Sequence, residues 1–83
     1  MPDKFKEYIK IDPNIKGGTP VIKGTRVSVA EILSLFEEEN FIQAVINNLK
    51  EEDVSVTKEA VFTALEYAKY TSLHAPKKGS KAK

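Results

Sequence analysis

Ile15-Lys16-Gly17-Gly18-Thr19-Pro20-Val21-Ile22-Lys23-Gly24-Thr25-Arg26-Val27-Ser28-Val29 decides how this chain reads. Three glycines, a proline and three basic residues share a short apolar frame that runs into a helix start. Gly17-Gly18 reads as a turn, and Thr19-Pro20 imposes an extended step. Val21-Ile22 and Thr25-Arg26-Val27 then read as two short strands about a tight Lys23-Gly24 turn. The segment is a rigid basic hairpin set before a helical body.

Upstream, residues 6–11 alternate polar and apolar side chains, which predicts a first strand. Asp12-Pro13-Asn14 predicts a turn, because Asp bonds nearby backbone and Pro presets φ. Downstream, Ser28-Val29-Ala30-Glu31 has the spacing of a capping box. A first helix is expected over 29–38, with Val29, Ile32, Leu33 and Phe36 as its buried stripe. Asn40 is the expected left-handed terminator. A second helix is expected over 41–50, with Phe41, Ala44, Val45 and Leu49 on one face. A charged connector follows over 51–56. Thr57 is the expected cap of a third helix whose inner stripe is Ala60, Val61, Ala64, Leu65 and Ala68. Its outward positions would be Lys58, Glu59, Phe62, Thr63, Glu66, Lys69 and Tyr70.

The pattern predicts a mainly α fold: three helices behind a short N-terminal β-hairpin segment. The second and third helices have the order of a helix-turn-helix, which many other helical bundles share. Eighty-three residues suffice for one domain, read here as 1–73, with a basic tail over 74–83 expected to be disordered. So small a domain has a thin stability margin, which makes a homodimer or a partner a reasonable expectation.

Cysteine is absent, so no disulfide framework or thiolate chemistry is available. No apolar run reaches membrane-helix length, and the first residues lack a signal-peptide layout. A cytoplasmic location is the expectation. The single histidine, His74, falls in the expected tail, and the acids do not fall into metal-ligand spacing. Neither an enzyme, a metal nor a cofactor is expected.

The net charge of +1 hides a division. Residues 1–30 carry six basic against three acidic groups, residues 31–66 two against nine, and residues 67–83 five against none. Separate faces for separate partners follow. Lys16, Lys23 and Arg26 around the hairpin turns are candidate phosphate contacts. The competing reading has Arg26 paired to an acid of the first helix. If the third helix enters a groove, Lys58 and Thr63 are its candidate contacts.

The run from Ile11-Asp12-Pro13 through Val29, with Val61-Phe62-Thr63-Ala64-Leu65-Glu66-Tyr67-Ala68, resembles the signature of a prokaryotic family called domain of unknown function 433. The matching turn positions are Gly17, Gly18, Pro20, Lys23, Gly24, Thr25 and Arg26, and Thr57 matches the cap of the third helix. The family pattern has Gly where Asn40 stands and a shorter link into the third helix. The resemblance implies a homeodomain-like helix-turn-helix and an antitoxin-like role: binding promoter DNA and holding a PIN-like nuclease toxin. A protein-interaction module with no nucleic-acid role is the alternative, favoured by acid-rich helices and Phe62. A third reading is an RNA-binding factor that uses the hairpin and tail.

Overall fold

The computed structural model describes residues 2–71. The tail expected at 74–83, with His74, lies outside the described residues. The described residues fold as a mainly helical unit with four helices and one small antiparallel sheet: α1 (Asp3–Lys6), β1 (Ile9–Lys10), β2 (Val21–Ile22), α2 (Val29–Glu39), α3 (Ile42–Lys50) and α4 (Lys58–Tyr70).

The helical boundaries follow local chemistry. The Ser28 backbone N–H donates to Glu31 Oε1 at 2.7 Å, and the Glu31 N–H donates to Ser28 Oγ at 3.0 Å. The expected capping box therefore starts α2. Asn40 ends it at φ 63°, with its N–H bonded to the Phe36 carbonyl. The Thr57 hydroxyl accepts the Ala60 N–H and starts α4. Ala60, Ala64 and Ala68 are buried at helical spacing, and such small residues let α2 and α3 lie close against α4.

Several expectations change at the N-terminal side. The predicted first strand is shorter than expected: residues 3–6 form α1, and only Ile9–Lys10 is strand. Phe5 explains this. It is 2% exposed, and its ring meets Tyr67 edge-on at 5.4 Å, so burying it turns the chain before β1 begins. The predicted hairpin is also rearranged. Val21–Ile22 pairs with β1, Ile9 opposite Ile22, while residues 23–24 form the turn and 25–27 are not strand. One bridge from Val21 to Ser28 and a bond from the Ile22 N–H to the Val27 carbonyl retain part of the expected pairing. The 25–27 side carries polar Thr25 and exposed, charged Arg26, and cannot compete with apolar Ile9 for the inner face.

Two aromatic side chains trade places with expectation. Phe41, expected inside, is the extended residue before α3 and is 70% exposed. Tyr67, absent from the expected stripe, is 7% exposed under Phe5. Leu33, Phe36 and Leu65 are half-buried at the edge of the core.

Candidate nucleic-acid interface

The glycine-rich segment is a chain of backbone bonds with little choice of conformation. Lys16, Gly17 and Gly18 have φ of 49°, 66° and 91°, three left-handed residues in succession. Such a run suits glycine and strains lysine. The Lys16 side chain is also fixed: its Nζ lies 3.0 Å from Glu31 Oε1, the same oxygen that receives the Ser28 N–H. The Ser28 N–H, with help from Lys16, holds the Glu31 carboxyl below its ordinary range, against a smaller opposing effect of burial. The glycine turn and the start of α2 are thereby tied through one carboxylate.

The second turn is closed by Thr25. Its N–H and its hydroxyl both donate to the Ile22 carbonyl, at 3.0 and 2.9 Å, and the Val27 N–H donates to its Oγ1. Gly24 supplies the positive φ of 84° that the turn requires. Pro20 offers its carbonyl to the Val29 N–H at 2.9 Å. The signature residues thus shape the backbone and carry few side-chain functions of their own.

The basic candidates separate into two kinds. Lys16 is neutralised by Glu31, so an acid of α2 is paired, though by Lys16 and not by Arg26. Lys23 and Arg26 are exposed at the turn and make no ion pair among the described residues. The Lys23 N–H is anchored to the Tyr8 carbonyl at 2.8 Å. Lys23, Tyr8, Ser55 and Thr57 line one shallow groove of about 230 Å³ where the sheet meets the start of α4. The turn and the N-terminal end of α4 therefore share one edge, and Lys58 is exposed at the first position of that helix.

Thr63 requires correction. The helical spacing places it outward beside Phe62, but it is 9% exposed. Its neighbours Ala60, Val61, Ala64 and Tyr67 are buried too, so the inner face of α4 is wider than an alanine stripe suggests and takes in Thr63. It cannot reach a groove. The outward N-terminal residues of α4 are Lys58, Glu59 and Phe62. Sequence reasoning also missed the Lys16–Glu31 link, since fifteen residues separate the partners and only the folded turn brings them together.

No described helix is long and apolar enough to cross a membrane. No curated protein and no solved structure was found to match the chain. A family described as Protein of unknown function (DUF433) matches residues 9–68. That span holds both turns, the capping box and all but the last turn of α4, and the chain belongs to the DUF433 family.

Proposed function

We propose that this protein is a non-enzymatic, antitoxin-like DNA-binding protein that acts in the cytoplasm as a homodimer, represses its own operon and holds a PIN-like nuclease. In this reading α2, α3 and α4 are the three helices of a homeodomain-like helix-turn-helix, and α4 approaches DNA by its exposed N-terminal end. The carrying observation is the exposed pair Lys23 and Arg26, held on a rigid turn with no ion pair among the described residues, Lys23 lining a groove with the start of α4. Phosphate contacts of this kind fix register without reading bases. Lys16 drops out of the interface, because Glu31 already holds it. Thr63 drops out because it is buried.

The test is fluorescence anisotropy with the protein's own upstream duplex and a shuffled duplex, across a salt series. Tight binding to the upstream duplex alone supports a sequence-reading regulator. The double variant Lys23→Ala/Arg26→Ala should weaken binding to both duplexes and flatten the log–log salt slope by about 2, roughly one for each phosphate that is no longer neutralised. An unchanged slope overturns the assignment. A second reading, a protein-interaction module, draws on exposed Phe62 and on the acids of α2 and of the connector at 51–53.

A further inference from the structure

We infer that Thr25 is the positioning residue of the Lys23–Arg26 pair: its hydroxyl braces the loop that carries both cations, and their grip on phosphates depends on it. The inference rests on the DNA-binding half of the proposed function.

The brace lies in the hydrogen bonds at the base of the loop. Two residues that face each other in a hydrogen-bonded antiparallel pair exchange two bonds, N–H to carbonyl in each direction. Between Ile22 and Val27 the first is direct: the Ile22 N–H donates to the Val27 carbonyl at 2.9 Å. The return path runs through the side chain of Thr25. The Val27 N–H donates to Thr25 Oγ1 at 3.0 Å, and that hydroxyl donates to the Ile22 carbonyl at 2.9 Å. A hydroxyl accepts and donates at one atom, and an apolar isostere does neither.

The ends of the loop are held by the rest of the fold. Ile22 is buried opposite Ile9, and Val27 packs against the core. Between them Lys23 and Arg26 are exposed, on either side of Gly24 and Thr25. Glycine has the widest conformational freedom of any residue, so the rigidity of this loop must come from the neighbour of Gly24. A loop already fixed in its bound shape presents its cations without the entropic cost of ordering them on contact. Thr25 does not touch DNA itself. Phosphate oxygens accept hydrogen bonds, and the one hydroxyl proton of Thr25 is committed to the Ile22 carbonyl.

The test is fluorescence anisotropy of full-length variants with the upstream duplex at one salt concentration. Thr25→Val keeps the shape, loses the hydroxyl and should weaken binding about tenfold. Thr25→Ser keeps the hydroxyl and should stay within about twofold of the unsubstituted protein. In the Lys23→Ala/Arg26→Ala background Thr25→Val should have no further effect, because a residue that acts through the two cations has nothing left to position. An equal loss in both backgrounds overturns the inference, since Thr25 would then act on DNA or on the fold directly. Thr25→Ser binding as weakly as Thr25→Val overturns it too. A second measurement needs no DNA: the amide order parameters of Lys23, Gly24 and Arg26 should fall in Thr25→Val and recover in Thr25→Ser. Unchanged order in Thr25→Val overturns the brace whatever the DNA result. Circular dichroism of each variant establishes that it is folded. The DNA reading fails by a different sign, Lys23→Ala/Arg26→Ala binding as tightly as the unsubstituted protein, and the positioning role then falls with it.

Discussion

At its N-terminal end α2 has a reciprocal capping box, a lysine on the capping glutamate and a fully buried isoleucine within its first turns; at its C-terminal end it has three glutamates, no basic residue and an exposed Phe41 beyond. The helix dipole favours acids at the first end and cations at the second, so only the first end obeys it. The lesson is that one helix can serve two demands. Its start locks the signature turn in place. Its far end is left charged, with three glutamates in its last turn.

The largest effect that sharpens this comparison is in packing. Ile32 is fully buried, while Leu35 and Phe36, further along, are half-buried. Ile32→Ala should destabilise the protein by about 2–5 kcal/mol, and Leu35→Ala by clearly less, because its site can fill with solvent. Urea unfolding of both variants measures the difference. Equal losses would mean that the two ends of α2 are held equally firmly.

The cap comes next. Ser28→Ala removes the acceptor for the Glu31 N–H and should cost about 1 kcal/mol. Glu31→Gln should add a pH signature. The Glu31 carboxyl titrates below its ordinary range in the folded protein, chiefly through the Ser28 N–H. Its contribution to stability is therefore complete above the unfolded value, near pH ~4.3, and fades as pH falls through the lowered folded value. The variant should lose that component of acid sensitivity, seen as a flatter stability curve on the acid side in urea titrations at several pH values. Similar acid limbs in both proteins would show that the capping carboxylate contributes nothing to linkage.

How far the sequence foretold this molecule depends on the range of the interaction. The capping box, the Asn40 terminator and the Thr57 cap are contacts within four residues, and each is readable from residue type and spacing. The turn at Gly24 is local too, though its strand partner is not. Ile22 pairs with Ile9, and apolar alternation alone does not say which strand wins. Phe5 under Tyr67, and Lys16 on Glu31, join residues far apart in sequence, and neither has a pattern to announce it. Of the candidate residues, the exposure of Lys23 and Arg26 was legible, because charged side chains beside a glycine turn stay in water unless a distant acid meets them. Thr63 was misplaced because threonine suits either face of a helix, and only the packing of α4 on its neighbours decides.

At the opposite end of α2, Asn40 holds φ at 63°, a conformation that Asn tolerates and that strains a residue with a plain Cβ. Asn40→Ala should therefore cost about 1 kcal/mol, close to the cost of losing the Ser28 cap, while Asn40→Gly should be neutral or slightly stabilising. Thermal unfolding of the pair tests it. If alanine were tolerated there, the turn into α3 would have to be looser than the bond from the Asn40 N–H to Phe36 indicates.

The smallest effect is the most telling for the acidic end. Glu38→Lys places a cation in the last turn of α2, which by itself should gain about 0.3–1 kcal/mol at low salt. The same side chain precedes α3 by four residues, and α3 begins at Ile42, after an N-cap Phe41 that offers no side-chain cap to its first N–H groups. A negative charge near that end is favourable, so the substitution loses there what it gains on α2. The expected net change is within about 0.5 kcal/mol, with little dependence on salt, measured by urea unfolding at two ionic strengths. A gain approaching 1 kcal/mol that vanishes in salt would mean that α3 does not feel the run. The three glutamates would then be kept against the stability of the fold, and a binding partner would be the remaining physical reason for them.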